Sequence, residues 1–133
     1  MKLYIDTNVI IDAIQDRNNL NGKNLGTAAA KIFFDALTCK HYLIISTWML
    51  EELYRFVNVD DTRALFQMIR NNIITIQHTD EDIKRAKESE NYDDMLHLIL
   101  AEKADADCIV TNNIKHFREF DTTIKIRKPE YLF

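Results

Sequence analysis

Short apolar runs punctuate this chain, and each breaks on a polar residue: Leu3-Tyr4-Ile5 on Asp6, the run from His41 to Ile45 on Ser46, Ile73-Ile74-Thr75-Ile76 on Gln77, and Cys108-Ile109-Val110 on Thr111. Between them lie longer stretches whose apolar positions recur every three or four residues, the spacing of one helix face. The runs predict strands and the stretches predict helices. A first short helix follows Asp6 through Val9-Ile10-Ile11, and a second, capped by Thr27, runs through Ala28, Ile32, Phe33, Ala36 and Leu37. His41 to Ser46 is β-branched and compact, and Ser46 and Thr47 are both competent to cap a helix beginning at Trp48. Asp60 to Asn71 reads as an amphipathic helix on Ala64, Leu65, Met68 and Ile69, and Thr79-Asp80-Glu81-Asp82 as a capped start of another. Asn91-Tyr92-Asp93-Asp94 precedes the most apolar helix, Met95 to Ala104, which has too few polar positions to face water broadly. Ile114 to Phe117 predicts a helical turn, Thr123 to Ile126 a last strand, and Pro129 to Leu132 a terminal turn with Pro at its first position. This order predicts an α/β fold, a three-layer sandwich with a mainly parallel central sheet.

Composition narrows the class. A chain of 133 residues, 47% hydrophobic, is the size of one domain and can bury a sizeable core, so residues 1–133 are read as a single unit. Two Gly and one Pro leave little material for hairpins, which argues against an all-β fold. Cys39 and Cys108 lack a Cys-x-x-Cys spacing and read as small buried hydrophobes in a reducing compartment. No signal peptide is visible, and no apolar run approaches the roughly 20 residues of a membrane span, so a soluble cytoplasmic protein is expected. The net charge of −4 argues superficially against a polyanionic partner. Three acids gathered on one metal site would account for −3 of it, and bound divalent cations would reverse the sign locally.

Candidate chemistry concentrates at strand ends and at the helix starts that follow strands, which face the ligand crevice of an open α/β sheet. Four points fall there: Asp6, the pair Glu51 and Glu52, the pair Asp93 and Asp94, and Asn113. Carboxylates that converge repel one another, so such a site makes physical sense with a hard divalent cation, Mg²⁺ or Mn²⁺, on oxygen ligands. A bound water of lowered pKa can then attack a phosphodiester. His97, inside an apolar helix, reads as a satisfied core histidine, and neither it nor His116 has a partner at zinc spacing, so neither is given a catalytic role. Arg17 and Lys23 in the polar loop after the first helix, and Lys115 and Arg118 after Asn113, are possible phosphate contacts or simply solvated charges. Trp48, Tyr54 and Phe56 are read as core or dimer-interface residues.

Five elements in order resemble the PIN domain, a metal-dependent nuclease fold common among toxin ribonucleases of toxin–antitoxin pairs: Tyr4-Ile-Asp-Thr-Asn-Val9, Ile45-Ser46 with Leu50-Glu-Glu-Leu53, Asp94 ahead of Leu98 and Ala101, Ile109-Val-Thr-Asn-Asn113 with Phe117, and Pro129-Glu-Tyr-Leu132, the last resembling VapC-like members. The resemblance implies that Asp6 is the first metal-binding acid and that Asn8 steadies it. It implies Glu52 as the second acid because that acid directly precedes an apolar residue, here Leu53; Glu51, about 100° around the helix, is then a solvated charge. Asp94 matches the third acid by its distance to Ala101, leaving Asp93 as an N-cap or outer acid at the helix mouth. Thr111 would present its hydroxyl to the site. At the fourth position the chain departs from the pattern: Asn113 stands where many members have Asp, a neutral ligand that can orient water but adds no charge.

The leading expectation is therefore a Mg²⁺- or Mn²⁺-dependent endoribonuclease, with Asp6, Glu52 and Asp94 on the metal and Asn113 in support. The resemblance further implies the toxin role, a homodimer and a cognate antitoxin. A catalytically weak PIN-like binding or regulatory module is the non-enzymatic alternative, motivated by Asn113 and the acidic charge. A haloacid-dehalogenase-like phosphatase would need an acid two residues beyond Asp6, where Asn8 stands.

Overall fold

A computed structural model describes residues 1–15, 22, 24–38 and 40–132. The strands are β1 (Lys2–Ile5), β2 (Tyr42–Ser46), β3 (Ile73–Ile76), β4 (Cys108–Val110) and β5 (Lys125–Arg127). The helices are α1 (Thr7–Gln15), α2 (Gly26–Leu37), α3 (Thr47–Leu53), α4 (Val59–Met68), α5 (Asp80–Ala86), α6 (Tyr92–Lys103) and α7 (Ile114–Arg118), with 3₁₀ turns at Arg70–Asn72 and Pro129–Tyr131. The sheet is wholly parallel, in the order β3-β2-β1-β4-β5.

That order positions the site. From β1 the chain moves outward to β2 and β3, then returns past β1 to β4 and β5. Parallel crossovers are right-handed, so reversing direction moves the connecting helices to the opposite face. Helices α1, α2 and α3 pack together, as do α5, α6 and α7, which completes a three-layer α/β/α sandwich. The reversal falls between β1 and β4, and a sheet of this kind opens a crevice there beyond the strand ends. Leu3, Tyr4 and Ile5 of β1, Leu43 to Ile45 of β2 and all of β4 are buried between the helical layers. Among the described residues no helix is long and apolar enough to cross a membrane.

Several boundaries differ from those expected. The most apolar helix begins at Tyr92 rather than Met95, because its first turn is polar and lies outside the apolar period; Leu96 to Ala101 are buried without a break, as expected. The helix expected over Asp60 to Asn71 stops at Met68 and tightens into the Arg70–Asn72 turn, where buried Asn72 donates to the Ala36 carbonyl at 2.8 Å. Thr27 lies inside α2 rather than capping it; Asn24 Oδ1 accepts from the Thr27 backbone N–H and hydroxyl instead. Ser46 caps α3 and Thr79 forms a reciprocal capping box with Asp82, both as expected. The last strand is Lys125–Arg127, not Thr123 to Ile126, since Thr122 turns the chain by accepting from Ile124 N–H. Cys108 is buried, whereas Cys39, Arg17 and Lys23 lie outside the described residues.

Candidate metal centre

Asp6 is the first residue past β1, and its backbone N–H continues the ladder onto the Val110 carbonyl at 2.9 Å. The register Ile5↔Val110 thereby sets Asp6 beside Thr111. The Thr111 hydroxyl donates to Asp6 Oδ2 at 2.7 Å and accepts the Asn113 N–H at 2.9 Å, so one buried side chain fixes both the acid and the turn after β4. Asn8, expected to steady Asp6, is exposed; Thr111 fills that role.

Glu52 reaches the crevice from the last turn of α3 and is half-buried. Its Oε1 accepts two hydrogen bonds, from the Thr7 hydroxyl at 3.1 Å and from His97 Nε2 at 2.6 Å. Burial pushes the Glu52 carboxyl up from its ordinary value and neighbouring Asp93 adds to the rise, against the lowering influence of His97. Glu51 is exposed, with His78 Nε2 3.9 Å from its Oε1, as a solvated charge should be.

Asp93 and Asp94 both sit in the first turn of α6, where the N-terminal dipole favours negative charge. Asp93 is not the N-cap, which is Asn91; its Oδ1 accepts from Trp48 Nε1 at 2.9 Å, and its carboxylate lies within 4.8 Å of the Glu52 and His97 ligand atoms. Asp94 turns to the other side and meets His116 Nδ1 at 3.0 Å. Burial first, then the Asp6 charge, raise the Asp94 carboxyl, so these two acids feel each other across the crevice. Asn113 is half-buried at the start of α7.

Sequence reasoning missed the floor of this crevice. His97 is buried and satisfied at both nitrogens, as a core histidine should be, but one of its partners is Glu52. The other is the Tyr4 hydroxyl at 2.7 Å, which also meets Ser46 Oγ at 2.9 Å. Burial alone would lower the His97 pKa; the hydrogen-bonded Glu52 carboxylate and the Asp6 charge act the other way and raise it. Asp12, also buried, accepts from Asn112 Nδ2 at 3.0 Å and ties α1 to the turn that carries Asn113. The one signal available was the rarity of a histidine and a tyrosine in otherwise apolar elements. Trp48 packs against the core, whereas Tyr54 and Phe56 are exposed and are not core residues.

Four carboxylates thus share one strand-end crevice, and among the described residues no Lys or Arg forms a salt bridge with any of them. Carboxylates gathered in this way, with those of Glu52 and Asp94 raised, suit a hard divalent cation, which would relieve the repulsion. A family model described as "PIN domain" matches residues 2–115. The chain belongs to the PIN-domain family. No curated protein matches it at a significant level. Among solved structures, this PIN domain is similar to a chain from the "Crystal structure of VapBC2 from Rickettsia felis bound to a DNA fragment from their promoter", at 17% identity and a TM-score of 0.61, covering 96% of this chain and 98% of that one. At that identity the likeness concerns the fold, and it extends over nearly the whole length of both chains.

Proposed function

We propose that this PIN domain is a Mg²⁺- or Mn²⁺-dependent endoribonuclease, the toxin of a toxin–antitoxin pair, acting in the cytoplasm. The observation that carries the reading is the gathering of acids at the reversal point of the sheet, where Asp94 feels the charge of Asp6 and Glu52 and Asp93 lie with His97 within 4.8 Å of one another, and among the described residues no Lys or Arg forms a salt bridge with any of the four. Asp6, Glu52 and Asp94 would hold the metal. Asp93 faces Glu52 while Asp94 is the one that feels Asp6, which supports Asp94 as ligand and Asp93 as the acid that shapes the Glu52 side. When bound, the cation supplies a water of lowered pKa and positive charge against the phosphodiester. Thr111 orients Asp6, and Asn113, anchored through its N–H, offers an uncharged amide to water or to the substrate.

RNA is proposed as the substrate, and a cognate antitoxin and a second copy of the chain as protein partners. An apolar groove of about 490 Å³ between α1, α2 and α4, with Phe34, Leu37 and Met68 exposed on it, supports a protein partner, since contiguous apolar surface of this kind marks interaction sites. The similar VapBC2 structure is titled as bound to promoter DNA, and an antitoxin for this chain is proposed by analogy with that pair. The test is incubation of the protein with labelled RNA and Mg²⁺ or Mn²⁺ beside Asp6→Ala, Glu52→Ala and Asp94→Ala. Cleavage that needs metal and is lost in each variant supports the reading. Cleavage surviving all three substitutions refutes the site, and metal binding without cleavage of any RNA favours a binding module.

A further inference from the structure

Beneath the carboxylates runs a buried chain of hydrogen bonds that begins and ends on the same helix. Met49 N–H, in the first turn of α3, donates to Ser46 Oγ at 3.0 Å; Ser46 Oγ meets the Tyr4 hydroxyl at 2.9 Å; Tyr4 meets His97 Nδ1 at 2.7 Å; and His97 Nε2 meets Glu52 Oε1, in the last turn of α3, at 2.6 Å. Ser46 and Tyr4 are 0% exposed and His97 1%, so water cannot stand in for any of these three. A carboxylate only accepts, so the hydrogen of the His97–Glu52 bond sits on His97 Nε2.

Glu52 is the acid most in need of such an anchor. Its side chain has three rotatable bonds, it sits at a mouth open to solvent, and Asp93 beside it favours an outward swing when no cation is bound. Both donors from the fold, Thr7 Oγ1 and His97 Nε2, land on Oε1, so reorienting the carboxyl breaks two bonds at once. The same geometry accounts for His97 lying within 4.8 Å of two acids without being free to ligate: its Nε2 is committed to Glu52 and its Nδ1 to Tyr4.

We infer that Tyr4 and His97 are positioning residues that hold the Glu52 carboxylate in its metal-binding orientation, with Ser46 fixing the far end of the chain at the N-terminus of α3. This rests on the metal-dependent reading above. A supporting partner of a metal ligand typically changes affinity about 10- to 100-fold when removed.

The test is Mn²⁺ binding, followed by calorimetry or by the spin-resonance signal of free Mn²⁺, for the wild type and for Tyr4→Phe, His97→Gln, His97→Leu, Glu52→Gln and the Tyr4→Phe/Glu52→Gln pair. Tyr4→Phe removes one oxygen and leaves the ring packed, so it keeps the question answerable should His97→Leu fail to fold. Tyr4→Phe is expected to weaken Mn²⁺ about tenfold and to lower kcat on RNA without raising KM. In the Glu52→Gln background it should add nothing, because its effect runs through Glu52. His97→Gln, whose amide can still donate to Glu52, should bind more tightly than His97→Leu. A folded Tyr4→Phe protein that binds Mn²⁺ within twofold of wild type overturns the inference while leaving the nuclease reading intact. Loss of binding in His97→Gln with Tyr4→Phe unaffected also overturns it and makes His97 a ligand. A wild type that binds no Mn²⁺ defeats the metal-dependent reading and this inference with it.

Discussion

Replacing Thr111 by Val tests the site at its most constrained point. The two side chains have the same shape, so the substitution deletes a hydroxyl and little else. That hydroxyl donates to a buried carboxylate, Asp6 Oδ2, at 2.7 Å, and Thr111 itself is wholly buried. A hydrogen bond to a charged group contributes about 1.5–3 kcal/mol, and here no water replaces it on a residue only 4% exposed. The second bond lost, from the Asn113 N–H, belongs to a half-buried residue that water can reach, and adds little. The net cost is about 2–3 kcal/mol. Unfolding a chain of 133 residues carries an entropy of about 0.28 kcal/mol/K, so Tm should fall by about 7–11 °C. Calorimetry of the metal-free protein at pH 7.5 measures this directly, and a Mn²⁺ titration of the same sample should show affinity reduced about tenfold. A Tm within 2 °C of wild type would refute the reasoning, because Asp6 would then not depend on Thr111.

Other outcomes follow from the same geometry. Substituting Asp6, Glu52 or Asp94 by Ala should lower metal-dependent RNA cleavage by more than about 100-fold, measured as initial rates at saturating Mn²⁺. The Glu52 and Asp94 carboxyls hold protons more tightly folded than unfolded, so they stabilise the metal-free protein below their ordinary values of 4.5 and 3.8. That contribution is lost as pH rises through the raised folded values. Denaturant titrations should show the decline, and the Asp94→Asn and Glu52→Gln variants should flatten it; an unchanged pH profile in both would refute it. Metal binding should run the opposite way, strengthening over the same rise in pH as the ligands deprotonate. Burial pushes the Cys108 thiol up to about 11, so iodoacetamide at pH 8 should leave it unmodified until denaturant is added, as peptide mass mapping would show.

The sequence made the frame legible because strands and helices here differ in period. Four apolar runs ending on polar residues became β1 to β4, and Asp6, Thr111 and Asn113 lie at the sheet's reversal point because strand ends face that crevice. Where polar residues begin a helix the apolar period is silent, which is why the expected start of α6 falls three residues late; the cap is Asn91, and of the two roles expected for Asp93 it is the acid at the helix mouth that the structure shows. The crevice floor was illegible for a different reason. Tyr4 and His97 stand 93 positions apart, and each alone reads as core; only the fold joins the hydroxyl to the imidazole and the imidazole to Glu52. Asn8 shows the converse, a residue whose motif position was matched but whose side chain faces solvent.

The register of β1 against β4 also places the site in time. The hydroxyl that fixes Asp6 is made 105 positions after it, and the central strand β1 gains its second neighbour only when Cys108 to Val110 arrive. A chain halted before Cys108 has Asp6, Glu52 and Asp94 but neither the strand nor the hydroxyl that sets Asp6 in place. Contacts this distant in sequence form late, after the loop between them has closed. A growing chain therefore holds an incomplete crevice until β4 and Thr111 have been added. The interval in which anything must be at hand to restrain the finished site begins only once Thr111 has been added.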